Sequence, residues 1–359
     1  MLKASYLNQV SDRIDILFAN LQTDIEKDIA RRIAKTNLKA SSATIWQKER
    51  LKEVNALYKQ IQKNINKTLK EASPEVLNAF SDSVQKSVAY DNKIFKKDNF
   101  QVVSNTSAFE AVMDAGYQQT MGTLINLCNS SGSVAMGKFS EYIDAAYLQV
   151  TSGAFSPERA ISNAVSSLAK DGIYMIDYKN GRSISIEAGV RRAVVTGVNR
   201  TTSIISLNRS RELGFDLVKT TEHMGARPEH AAWQGKVFSL SGSGKYPNFY
   251  EVTGYGAVDG LCGANCRHSF YPYSEEFDSS NSPEIGDDKE NSGMYALNQE
   301  QRYNERMIRH WKRRADTMEA GGQTNSYELN KIREWQKRQR EFVEENGLTR
   351  QYAREKVYN

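Results

Sequence analysis

The sequence predicts an α+β fold, mostly helical, with a small antiparallel sheet in its central domain. Three observations carry this. From residue 1 to about 100, apolar side chains recur at steps of three and four, the spacing of one buried helix face. Beyond 173 the period shortens, and two β-rich runs, 173–178 and 183–186, flank Lys179-Asn180-Gly181-Arg182, where Asn-Gly is a strong hairpin signal. From 220 to 273 Gly and Pro punctuate the chain every few residues, which excludes both a long helix and a regular sheet.

Taken in order, the first stripe runs Leu2, Tyr6, Val10, Ile14, Leu17, Leu21, Ile25, Ile29 and Ile33. Steps of four dominate, so the stripe drifts around a straight helix and the helix must bend or its partner must wrap. A Ser-rich break at 41–43 precedes a second helix, whose Leu51, Val54, Tyr58, Ile61 and Ile65 have the alternation of a bundle seam. Ser73-Pro74-Glu75 reads as the start of a third, with the hydroxyl as cap and Pro at the first helical position. Ser156-Pro157-Glu158 has the same form and opens a helix with Ile161, Ala164, Val165 and Leu168 on one face. Val190, Ala193, Val194, Val198, Ile204 and Ile205 mark another, ending near Gly214. Short strands are expected at 215–220 and 236–240. The implied organisation is a helical region over 1–103, an α+β domain over 104–273, an acidic linker over 274–293 and a basic helical tail over 294–359.

Composition limits the function classes. The 359 residues carry a net charge of +5, too little by itself to argue for nucleic acid. Fourteen Lys or Arg against nine Asp or Glu fall in 301–359, so the tail accounts for the whole excess. Arg309, Lys312, Arg313 and Arg314 are candidates there for contact with DNA or an acidic partner, against the plainer reading of a solvated helix pair with internal Glu–Arg pairs. Three cysteines make no disulfide framework, which fits a reducing compartment. Asp12, Arg13 and Asp15 interrupt the apolar pattern near the N-terminus, so no signal peptide is expected, and no apolar run approaches the length of a membrane span.

Three of the four histidines and two of the three cysteines lie between 220 and 273. His223, His230, Cys262, Cys266 and His268 are of the types zinc accepts, but Cys-x3-Cys-x-His matches no common structural-zinc spacing. Of Cys266 and His268, one at most is expected to join a site. A catalytic alternative, a zinc-dependent hydrolase or nuclease or a Cys262 or Cys266 nucleophile with a histidine base and Glu222 or Glu229 to orient it, uses the same residues. The bland reading is structural. Pro228 starts a helical turn with His230 and Trp233 on one face, Gly235 stops it, and Arg227 and Arg267 tie the two arms of the stretch together. No Gly-rich phosphate motif is present.

His223, Gly225-Ala226-Arg227-Pro228, His230, Trp233-Gln234-Gly235-Lys236-Val237-Phe238, Gly254-Tyr255-Gly256 and Gly260-Leu261-Cys262-Gly263 with Asn265-Cys266-Arg267-His268 resemble the signature of the phage minor capsid protein 2 family. Gln234-Gly235-Lys236-Val237 with the distant Asn265-Cys266-Arg267 is also similar to the looser Asp-Gly-Lys-Val and Asn-Cys-Arg pattern of the Mu-type head-morphogenesis proteins, Gln standing for Asp. Gln301-Arg302, Glu305-Arg306, Ile308-Arg309 and Trp335-Gln336 extend the resemblance into the tail. It implies a structural protein of a tailed phage or prophage, assembled in the host bacterial cytoplasm and carried in the virion in few copies near the portal vertex. It also implies contact with portal, major capsid protein or packaged DNA. No membrane, no small-molecule substrate, no required cofactor and no catalytic residues are expected; zinc is admitted. His223, Arg227, Pro228, His230, Trp233, Gly235, Lys236, Gly260, Asn265 and Arg267 would then be residues that hold the motif's shape.

Overall fold

Long apolar stripes become long helices in the computed structural model, which describes residues 1–38, 42–97, 100, 106–173, 176–177, 183–275 and 288–357. The drifting N-terminal stripe is cut in two. Helix α1 (Ala4–Leu7) and helix α2 (Asp12–Lys35) are separated by a turn, and Leu2, Ile14, Leu21, Ile25, Ile29 and Ile33 are buried. Tyr6, Val10 and Leu17 are only half-buried.

Helix α3 (Ala43–Lys97) corrects two expectations. Its 55 residues run through Pro74, so no third helix begins there. Proline forfeits one backbone bond, but Ala72, Val76 and Phe80, all fully buried, carry the apolar stripe across it. Ser73 does not cap; its hydroxyl shares a 2.8 Å hydrogen bond with the Tyr117 hydroxyl. The stripe itself is Leu57, Ile61 and Ile65, whereas Leu51 and Tyr58 are more than half exposed. The seam expected from 51 therefore begins at 57.

Helices α4 (Thr106–Thr151) and α5 (Pro157–Asp171) follow. Ser156 caps α5 by accepting from the Arg159 amide, and Ala164, Val165 and Leu168 are buried, as the sequence implied. Strands β1 (Ile176–Asp177) and β2 (Ser183–Ile184) pair antiparallel, with Ile176 opposite Ile184. The Asn-Gly turn between them lies outside the described residues. Helix α6 (Ile186–Glu212) buries Val190, Val194, Val198 and Ile205, while Ile204 is exposed. Gly214, at φ +74°, follows its end.

The central sheet has the order β4–β3–β5, all antiparallel. Strand β3 (Leu217–Thr220) sets Val218 opposite Phe238 of β4 (Val237–Ser239) and opposite Pro272 of β5 (Phe270–Pro272). Short helices α7 (Pro228–Ala231) and α8 (Phe249–Thr253) lie in the connections. The acidic stretch 274–293 was expected to be linker throughout. Residues 276–287 fall outside the description, but helix α9 (Asp288–Ala320) takes the last six. Helix α10 (Ser326–Glu345) comes after the break at Gly321-Gly322, where a Cβ on Gly321 would lie 2.5 Å from Val165 Cγ1.

The chain packs as two compact units, each assembled from separated stretches. One comprises 1–14, 72–124 and 190–298 and contains the central sheet. Its core joins Val218, Phe238, Phe249, Leu261, Phe270 and Leu207. The other comprises 15–71, 125–189 and 299–359. There Trp46 stacks on Tyr147 with ring centroids 4.4 Å apart, and Glu187 bonds both Arg309 and Arg313. No described helix is long and apolar enough to cross a membrane.

Candidate functional site

The Gly- and Pro-rich stretch is fixed by backbone constraints before any side chain meets another. Pro228 opens α7 at a position where its missing N–H costs nothing. Gly235 ends the turn at φ +70°, and a Cβ there would lie 2.2 Å from the Glu222 carboxylate. Across the site, Gly260 packs so closely that a Cβ would lie 2.0 Å from the Gly254 carbonyl oxygen. Cys262 and Asn265 hold left-handed backbone, at φ 58° and 57°. For Asn this is a common choice, and for Cys an unusual one. The Lys236 ammonium donates to the Ala232 carbonyl at 2.7 Å, and its backbone amide meets the Thr220 hydroxyl.

These bends bring two arms of the motif together. Arg227 donates to the Ala264 carbonyl and so ties the arms as expected. Arg267 Nε donates to Asn8 Oδ1 at 2.9 Å, joining the second arm to the segment after α1. Between the arms His230, Cys266 and His268 converge, all three buried. The two Nδ1 atoms are 3.3 Å apart, and Cys266 Sγ is 3.8 Å from each. The expectation that one at most of Cys266 and His268 joins a site is thus corrected: residues two apart in an extended stretch share a face, and both turn into this cluster. The strand begins only at Phe270, and the backbone through 266–268 is irregular, with the His268 amide donating to Cys266 Sγ at 3.4 Å.

Trp233 closes the cluster, its ring 4.6 Å from His230 and 4.9 Å from His268. Of the five candidate metal ligands, His223 and Cys262 do not join. His223 lays its ring against His268 at 4.4 Å, face to face, and its Nδ1 lies 3.2 Å from the Met224 carbonyl. Cys262 Sγ lies 4.0 Å from the His268 carbonyl within the apolar core.

Burial sets the electrostatics. It pushes the Cys262 thiol well up and raises that of Cys266, so both favour the neutral form. A nucleophilic cysteine needs the opposite shift, which removes support from the cysteine-nucleophile reading. Burial also lowers the pKa of His230, and it lowers that of His268 far below the ordinary range, with His223, His230 and Arg227 adding repulsion.

Four contributors escape a reading by residue type. Gln234 accepts from the His223 amide and faces His268 Nε2, both at 3.1 Å. It stood in the motif only as the residue replacing Asp. Asp259 acts through its carbonyl, 2.7 Å from His230 Nε2, which no side-chain pattern can show. Asn199 donates to the His268 carbonyl at 2.8 Å from α6, where its one signal is polarity beside buried Val198. Asn291, within the supposed linker, accepts from the Gly225 and Ala226 amides and donates to the Ala226 carbonyl.

The basic candidates of the tail are engaged within their own unit. Arg309 and Arg313 bond Glu187 at 3.1 and 2.6 Å, Arg314 bonds Glu328 at 2.8 Å, and Lys312 donates to the Glu355 carbonyl at 2.8 Å.

Comparison with known proteins agrees with this motif. A family described as "Phage minor capsid protein 2" matches residues 2–344. A "Structural protein" of Lactococcus phage LL-H is 31% identical over 346 residues, covering 90% of this chain and 91% of that one. A "Structural protein" of Lactococcus phage mv4 is 42% identical over 118 residues, 32% of this chain and 94% of its own. No solved structure matches. With a shared motif, a match over nearly the full length and relatives that are phage structural proteins, the chain belongs to the phage minor capsid protein 2 family.

Proposed function

We propose that this minor capsid protein acts in head assembly near the portal vertex, contacting portal or major capsid protein and the path of packaged DNA. The observation that carries the reading is the family match over residues 2–344, joined to a relative of nearly equal length that is itself a structural protein. The geometry supports a scaffold role. Arg227, His230, Gln234, Lys236 and His268 direct polar atoms to one another or to backbone, and two helices of 55 and 46 residues supply long continuous surfaces. Burial raises the pKa of both thiols, which disfavours a free cysteine nucleophile.

The test is a density gradient of particles from a producing host, with each fraction searched for peptides of this chain. Co-sedimentation with DNA-filled heads at a few copies per particle is expected, with crosslinks to portal rather than to tail proteins. Loss of the protein from particles that have ejected their DNA would support a role in passage. Mature heads lacking the protein would overturn the proposal.

A further inference from the structure

We infer that His230, Cys266 and His268 form a three-ligand binding site for a divalent cation of the zinc class. The argument begins with protons. A backbone carbonyl only accepts, so the 2.7 Å contact to the Asp259 carbonyl places the His230 proton on Nε2. The His223 backbone amide only donates, so it fixes Gln234 Oε1 towards itself, and the same oxygen then takes the Nε2 proton of His268. Both rings are buried and, as neutral imidazoles, carry one proton each. Each ring therefore turns an Nδ1 lone pair inward, and the two lone pairs face one another at 3.3 Å.

Without an ion this arrangement is frustrated. One thiol proton on Cys266 can satisfy one of the two nitrogens, and a buried acceptor left without a donor is costly. A cation resolves it. Two nitrogens about 2.05 Å from zinc at the tetrahedral angle are about 3.3 Å apart, and nitrogen and sulfur about 3.6 Å apart. The observed edges, 3.3 Å and 3.8 Å twice, are close to these. Two imidazoles and a thiolate select a borderline-soft ion over magnesium or calcium. The Sγ–metal bond forms as the thiol loses its proton to solvent, and the His268 amide already pointing at Sγ supports the resulting charge. The contacts to Asp259 and Gln234 are the outer hydrogen bonds that metal-binding histidines keep. The site is structural in this reading, pinning the two arms of the motif, and it stands independently of the proposed place in the head.

The experiment uses the full chain, made without a histidine tag and purified without chelator. One zinc per chain by elemental mass spectrometry is expected. After chelation, a titration with cobalt(II) should give the visible bands of a tetrahedral site and a thiolate charge-transfer band. Cys266→Ser should abolish the charge-transfer band, and Cys262→Ser should leave it unchanged. Gln234→Ala should weaken metal affinity about 10- to 100-fold while the three ligands remain. Because Cys266→Ser risks the fold, the wild-type titration is the primary readout. A folded wild-type protein that takes up neither zinc nor cobalt at one equivalent would overturn the inference, as would a charge-transfer band that follows Cys262.

Discussion

At the scale of single residues, side-chain hydrogen bonds to backbone help hold the second arm of the Gly-rich stretch. Asn199 shows this best. It is fully buried on α6, and its amide nitrogen lies 2.8 Å from the His268 carbonyl and 3.5 Å from that of Cys266. No other side chain spans from α6 to both carbonyls of the second arm among the hydrogen bonds of the described residues. Asn199→Ala leaves them without that donor and should cost about 1–3 kcal/mol. Urea unfolding monitored by tryptophan fluorescence checks it; the midpoint should fall while the slope is unchanged. An unaltered midpoint would mean that water replaces the amide at no cost.

At the scale of elements, close approach of α4 and α6 depends on two reciprocal glycine–threonine contacts. A Cβ on Gly116 would meet Thr201 Oγ1 at 2.0 Å, and one on Gly197 would meet Thr120 Oγ1 at 2.2 Å. Both threonines are buried and β-branched, so they have little freedom to move aside. Gly197→Ala should therefore destabilise by about 1–3 kcal/mol through overpacking. Thr120→Ala, which removes the clashing hydroxyl, should recover part of that loss in the double variant, as a double-mutant cycle would show. Strict additivity would mean that the helices simply move apart. This contact also shows why the sequence was legible only in part. Helix periods, the hairpin, two of the three central strands and the Pro228 turn follow from local spacing, and spacing is written in the chain. Pro74 was misread because its local signal matches that of Pro157, a true helix start; only the buried stripe of Ala72, Val76 and Phe80 distinguishes them. Cys266 and His268, two residues apart, share a face of any extended stretch, so local spacing does carry their pairing; what it cannot carry is the arrival of His230 from the other arm. Asn291 was assigned to linker because the stretch before it is acidic and polar, yet its side chain caps Gly225 and Ala226 from across the fold.

At the scale of the whole molecule, charge counts describe the chain less well than charge placement. The tail's surplus of positive charge suggests a partner, but Arg309 and Arg313 are committed to Glu187. The same interior holds Glu26. Its carboxylate accepts from Gln22 Nε2 at 2.9 Å and from the Ile173 amide at 3.0 Å. Burial nevertheless raises its pKa, outweighing Arg313 and these hydrogen bonds, and nearby Glu187 adds to the rise. A carboxyl with a raised folded pKa holds its proton more tightly folded than unfolded. Its contribution is therefore fully present below the unfolded value of about 4.3 and is lost as pH climbs through the higher folded value. Glu26→Gln removes the ionisation while keeping an oxygen to accept both bonds. Unfolding free energies of the two proteins, measured from pH 4 to pH 8, should then diverge in the variant's favour as pH rises, by at most about 1.4 kcal/mol per pH unit. The gap should stop widening above the folded pKa of Glu26, which the plateau would locate. A gap independent of pH would mean that Glu26 ionises as readily inside the fold as outside it, with Arg313 rather than burial deciding the balance.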